Sequence, residues 1–183
     1  YLYGYLPLIT ILLFSLTFGI YAVSTSLELL QVIGVYNGMR EFLSDLELRF
    51  VLLVIFALIF FMLFSALKLI GETIHEIGML LFSKDIAGET ISVARGGYVV
   101  FFIGAFVSVI GIQSIWVLVI SFVATVFVYF IYTVYKMSHY MSISGVIGLI
   151  FFEVIVWSMF LTLIIYALFK LYNGILSSLP FAT

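Results

Sequence analysis

Apolar positions in this chain fall in long uncharged runs separated by short polar stretches, and the runs predict helices. Leu6 to Val23 is the first, eighteen residues without a charge, with Pro7 near its start, where a missing N–H costs a helix least. Polarity returns from Ser24 to Arg49, with Glu28, Arg40, Glu41, Asp45, Glu47 and Arg49, so this stretch reads as a loop that turns at Asn37-Gly38. Ser44-Asp-Leu-Glu47 then matches a capping box: the serine oxygen can accept from an N–H of the first turn while Glu47 reaches back. A second helix is expected to start there.

The helical pattern that follows lasts from Leu46 to Phe82, about 55 Å at 1.5 Å per residue against roughly 30 Å of hydrocarbon. Its first part, Phe50 to Leu67, is uncharged. Its second carries Lys68, Glu72, His75 and Met79 on one stripe with Glu76 at the edge. The polar part either projects beyond the membrane or bends near Gly71 to lie along its surface. Ser83 to Gly97, with Lys84, Asp85, Gly88, Glu89 and Arg95, reads as a second loop.

Gly96 to Tyr135 is forty residues without a charge, too long for one span, and Gly111-Ile-Gln-Ser114 is its polar interruption, which predicts a tight helical hairpin. A short link around Lys136 and His139 precedes a final run from Ser142 to Leu171 with Glu153 inside it. The tail from Tyr172 to Thr183 reads as interfacial. The expected architecture is an all-α membrane bundle in one domain, residues 1–183. Its five spans lie near 6–26, 48–70 with a polar extension to 82, 97–112, 114–135 and 142–171.

Composition fixes the solvent of this bundle. A chain of 183 residues that is 66% hydrophobic and 9% charged, with mean hydropathy +1.37, has too much apolar surface for a soluble core of its size. The lipid bilayer is therefore its first partner. A formal charge of -2 and the lack of any basic run speak against nucleic acid. The absence of cysteine excludes disulfides, thiol nucleophiles and thiolate metal sites. With five spans the basic residues divide as Lys68, Lys84, Arg95 and Lys136 against Arg40, Arg49 and Lys170, which barely orients the chain.

Small residues at helical spacing mark where backbones can approach. Ser15, Gly19 and Ala22 form one such face in the first span, Gly104, Ser108 and Gly111 another in the third, and Ser144 and Gly148 begin a third in the last span, continued by Ser158 and Thr162. Glu153 lies nearly opposite that last face. Two faces unsuited to lipid on one helix suggest two neighbours, the chain's own bundle and either a second copy or a larger membrane complex.

Three groups of residues could carry chemistry. Glu153 stands eleven residues into its span, about 16 Å deep, where a carboxylate must be neutral, paired or hydrated. Lys68 to Glu72 is an i, i+4 ion pair. Glu72 and His75 have the i, i+3 spacing of one half of a helical di-metal site, which makes them metal candidates. A complete site would want a second such pair and two further glutamates, so no metal centre and no cofactor are expected.

The segments SALKLIGETIHEIGMLLFSKD, YLPLITILLFSLTF and FKLYNGILSSLP give the chain a resemblance, over essentially its whole length, to the YufK-like family of small bacterial membrane proteins. The resemblance implies a multi-pass protein of the bacterial cytoplasmic membrane and assigns no functional residue. The residues themselves suggest an ion- or proton-linked transport or channel subunit whose polar pathway runs from Lys68, Glu72, His75 and Glu76 toward Glu153. On the depth estimate, His75 and Glu76 reach Glu153 through water rather than by contact. The alternative is a non-transporting accessory subunit of a membrane complex. A metal-dependent membrane enzyme is a more distant alternative, since no nucleophile and base form a recognisable pair.

Overall fold

The computed structural model describes residues 2–83, 89–139 and 141–178. Among these, every regular element is helical: α1 (Leu2–Ile33), α2 (Val35–Arg40), α3 (Asp45–Phe82), α4 (Glu89–Ser108) followed by a 3-10 turn (Val109–Gly111), α5 (Ile115–Met137) and α6 (Ile143–Ser178). The protein is all-α. α1, α3, α5 and α6 are each long and apolar enough to cross a membrane. The apolar segment Gly96–Gly111 is shorter, about 24 Å as a helix.

The helices overrun three of the stretches expected to be irregular. α1 continues ten residues past Val23, because Val23 and Leu27 stay on its inner side and pack against Leu48 of α3, with Tyr36 and Met39 beside them. The chain turns at Gly34 rather than at Asn37-Gly38, which lies inside α2. Gly34 has φ +81°, the left-handed region that a side chain disfavours. α4 takes in residues 89–97 of the expected second loop; Lys84, Asp85 and Gly88 lie outside the described residues. Gly96 and Gly97 are not turn residues but contacts within a helix pair, for a Cβ on either would run into Tyr132 or Tyr129 of α5. At the C-terminal end α6 runs through Asn173-Gly174 to Ser178, where an interfacial tail was expected.

The start of α3 follows the local code. Glu47 N–H donates to Ser44 Oγ at 3.3 Å and Ser44 N–H donates to Glu47 Oε2 at 2.8 Å, the reciprocal bonds of a capping box. The Tyr36 hydroxyl donates to Asp45 Oδ1 at 2.5 Å, tying α2 to the same helix end. From there α3 is one helix of 38 residues that passes through Gly71 without interruption.

α1 and α3 pack antiparallel, with Gly19 against Ala57 and Phe14 against Phe64. α4 and α5 form an antiparallel hairpin in which Gly104 meets Thr125 and Gly111 meets Val117. The two pairs close on Phe14, Phe18, Phe64, Ala105 and Leu118, with Phe60 and Phe122 at the margin. Phe122 lies 5.0 Å from Phe64 and 5.3 Å from Phe14, centroid to centroid. Thr17 and Ser108, both buried, hydrogen-bond at 3.1 Å between α1 and α4, and each also donates to, or lies within bonding distance of, a carbonyl of its own helix. Ser15 is buried and donates to Ile11 O.

α6 stands apart from this core. Its first half packs on the polar half of α3, and the contacts define an antiparallel register: Gly71 by Trp157, His75 by Glu153, Gly78 by Leu149 and Phe152, and Phe82 by Gly145 and Gly148. Its second half is exposed, with Leu161, Leu163, Ile165, Leu168 and Phe169 all uncovered. Gly148 and Glu153 thus turn toward the same neighbour, α3, whereas the helical spacing put them on nearly opposite faces. Phe82 reaches Gly148 while His75 reaches Glu153, so one neighbour touches both positions. Ser144, Ser158 and Thr162 are exposed.

Candidate functional site

The polar stripe of α3 is divided between two neighbours. Lys68 Nζ donates to Glu72 Oε1 at 2.6 Å, and the same oxygen accepts from the Tyr98 hydroxyl of α4 at 3.3 Å. The ammonium also lies 5.7 Å from the centre of the Tyr98 ring, within cation–π range. Lys68, Glu72 and Tyr98 therefore form one compact group between α3 and α4.

One turn further along α3, His75 leaves that group and meets α6. His75 Nδ1 and Glu153 Oε1 are 2.5 Å apart, and Glu153 keeps only 6% of its side chain accessible against 21% for His75. Glu153 is the most buried carboxylate of the described residues that bear on the site. His75 Nε2 is buried and has no hydrogen-bond partner. Glu76, the next residue, is exposed.

This contact corrects the expected connection through water. The depth estimate treated α6 as centred on the uncharged half of α3. In the observed register the first half of α6 lies beside the polar half instead, which brings Glu153 level with His75, about 12 Å along α3 beyond Leu67. The close approach is made by glycines. A Cβ on Gly78 would stand 2.6 Å from Leu149 Cδ1, and one on Gly145 2.7 Å from the carbonyl oxygen of Phe82.

Glu72 and His75 share a face of α3 but do not converge, since the first is held by Lys68 and Tyr98 and the second by Glu153. Among the described residues no three of His, Asp and Glu gather where they could hold a metal ion. His139 is far from the pair in role: it is exposed and lies 3.1 Å from the Tyr135 carbonyl.

Two aromatic residues of the site escaped the sequence reading. Tyr98 lies just past the end of the expected second loop, and Tyr129 lies within the uncharged run expected as the fourth span. Tyr129 is close enough to Glu72 and Glu153 for both carboxylates to act on it electrostatically. The glycine pair was the available signal, since adjacent small residues on α4 are what admit the rings of Tyr129 and Tyr132.

A helical chain with four long apolar helices and a partly buried polar junction between two of them defines a multi-pass membrane protein. More particularly, the chain belongs to the family of unknown function DUF5366, whose model matches residues 23–180. It is similar to the uncharacterized membrane protein YufK of Bacillus subtilis (strain 168), 37% identical over 180 residues that cover 98% of this chain and 97% of the relative. The resemblance read from the sequence segments is therefore shown. No solved structure matches the chain.

Proposed function

We propose that this protein is an ion- or proton-linked transport or channel subunit of the bacterial cytoplasmic membrane, with Glu153 as the buried acceptor. The observation that supports this reading is the His75–Glu153 contact, which couples a nearly inaccessible carboxylate to a partly accessible imidazole beside an exposed glutamate. Accessibility falls in the order Glu76, His75, Glu153, the gradient expected of an entry route into a bundle. An ionisable side chain buried between helices is costly, and a contact that only packs helices has cheaper solutions in glycine and serine. Lys68 and Glu72, joined by Tyr98, make the inner wall of that route, with Tyr129 within electrostatic range of Glu72 and Glu153.

Flux in proteoliposomes, driven by a pH gradient or by gradients from a panel of monovalent and divalent cations, tests the reading. Wild-type protein is expected to dissipate at least one gradient, and Glu153→Gln to slow it tenfold or more. No flux above protein-free vesicles, or wild-type flux in Glu153→Gln, overturns it.

The second reading, a non-transporting subunit of a homo-oligomer or larger membrane complex, is favoured by the exposed second half of α6. Ser158 and Thr162 there offer a small-residue face for a neighbouring helix among otherwise apolar side chains.

A further inference from the structure

We infer that the species handled at this site is the proton, and that His75 and Glu153 hold it as one unit with His75 Nε2 as the exchanging atom. The inference rests on the transport reading for its purpose but not for its chemistry.

The chemistry follows from counting protons. At 2.5 Å, one proton lies between His75 Nδ1 and Glu153 Oε1. With a second proton on Nε2 the pair is neutral overall, either as imidazole with carboxylic acid or as imidazolium with carboxylate. Without the second proton it bears one negative charge. Exchange is then balanced as follows. The Glu153 O–H bond breaks as the Nδ1–H bond forms, and the Nε2–H bond breaks as its proton passes to water, leaving neutral imidazole and a carboxylate. A proton returning to Nε2, as the Nδ1–H bond breaks and the Glu153 O–H bond forms again, restores the starting state. Nε2 suits the exchange because it has no partner of its own, and since it is buried the exchanging water has to reach it through an opening of the α3–α6 contact.

The surroundings fit a proton better than a larger cation. The groups around the pair are Lys68, Glu72 and Glu76 on α3, Tyr98 on α4 and Tyr129 on α5. Of these, Glu72 Oε1 already takes the Lys68 ammonium and the Tyr98 hydroxyl, so a metal ion would have to displace a fixed positive charge. Further into the bundle Phe14, Phe64 and Phe122 stand in ring contact and offer a hydrated ion no polar ligand. A proton needs only a chain of hydrogen-bonding atoms.

The chain has two histidines, which gives the test an internal control: 15N-histidine labelling in lipid nanodiscs yields signals from His75 and from the exposed His139. His75 is expected to show a far-downfield Nδ1 proton, exchanging with solvent deuterium, while His139 shows none. Glu153→Gln should abolish that signal and a protonated-carboxyl infrared band, leaving His139 unchanged. Adding Na+, K+, Mg2+ or Zn2+ to wild-type protein should move neither the His75 signal nor the band. A cation that shifts His75 at concentrations sparing His139, or a His75 indistinguishable from His139, overturns the inference, and the wild-type measurements stand even if the variant fails to fold. The expected downfield His75 signal without any flux would sink the transport reading alone. Flux of a cation that also displaces the His75 proton would sink the proton assignment alone.

Discussion

α3 belongs to two different kinds of contact along its length. Its first half meets α1, α4 and α5 through rings, with Phe60 and Phe64 set among Phe14, Phe18 and Phe122. Its second half meets α6 through glycines and one polar contact, with Gly78 under Leu149, Gly145 and Gly148 around Phe82, and His75 on Glu153. In lipid, apolar surface gains nothing from leaving the solvent, so both contacts must be held by close packing and hydrogen bonds. The ring cluster spreads that stabilisation over many atoms. The α6 junction concentrates it in a few backbone approaches and one proton, which makes the junction the part of the fold able to respond to its surroundings.

The largest effect is expected at the ring cluster. Phe64→Ala removes a buried ring that touches Phe14, Phe18, Phe60 and Phe122, and should destabilise the protein by about 3 kcal/mol, at the low end for a phenylalanine because lipid replaces water as the solvent of the unfolded helices. Reversible unfolding in mixed micelles measures it. A loss below about 1 kcal/mol would mean that the cluster is not where the bundle is held.

At the junction, Gly145→Val puts a branched side chain against the Phe82 carbonyl, a backbone atom that cannot swing aside. It should cost about 1–3 kcal/mol locally and displace α6. In a chain without native cysteine, bismaleimide crosslinking between Gly71→Cys and Trp157→Cys reports that displacement. Crosslinking is expected to fall severalfold with Gly145→Val and to survive Phe64→Ala. The opposite pattern would dissolve the distinction between the two contacts.

The smallest effect belongs to the group that joins them. Lys68→Met removes an ion pair whose partners are each about one-third exposed, 33% and 37%, so the stability change should be a few tenths of a kcal/mol. Flux, in contrast, should change if Lys68 lines the route to Glu153. A stability loss above about 1 kcal/mol would show that Lys68 holds α4 to α3 and would remove it from the pathway.

What the sequence determined by itself is what neighbouring residues and the bilayer decide. Uncharged runs about as long as the hydrocarbon is thick, or longer, had to become membrane helices, whatever their partners. The capping box at Ser44 and the Lys68–Glu72 pair are bonds across three and four residues, so helical spacing alone encodes them. The ends of α1 and α4 were less legible, because Ser24 to Ile33 and Glu89 to Gly97 are polar enough for a loop and helix-compatible enough for a helix. Packing against Leu48 settles the first, and the tyrosines of α5 lie against the glycines of the second. Tertiary structure alone decided the pairing of His75 with Glu153 and of Thr17 with Ser108, 78 and 91 residues apart. Such pairings depend on which helix slides against which and at what register. The glycines that set the register of α3 on α6 are common in membrane helices, and only the bulk of Phe82, Leu149 and Phe152 on the facing helix gives each one its meaning.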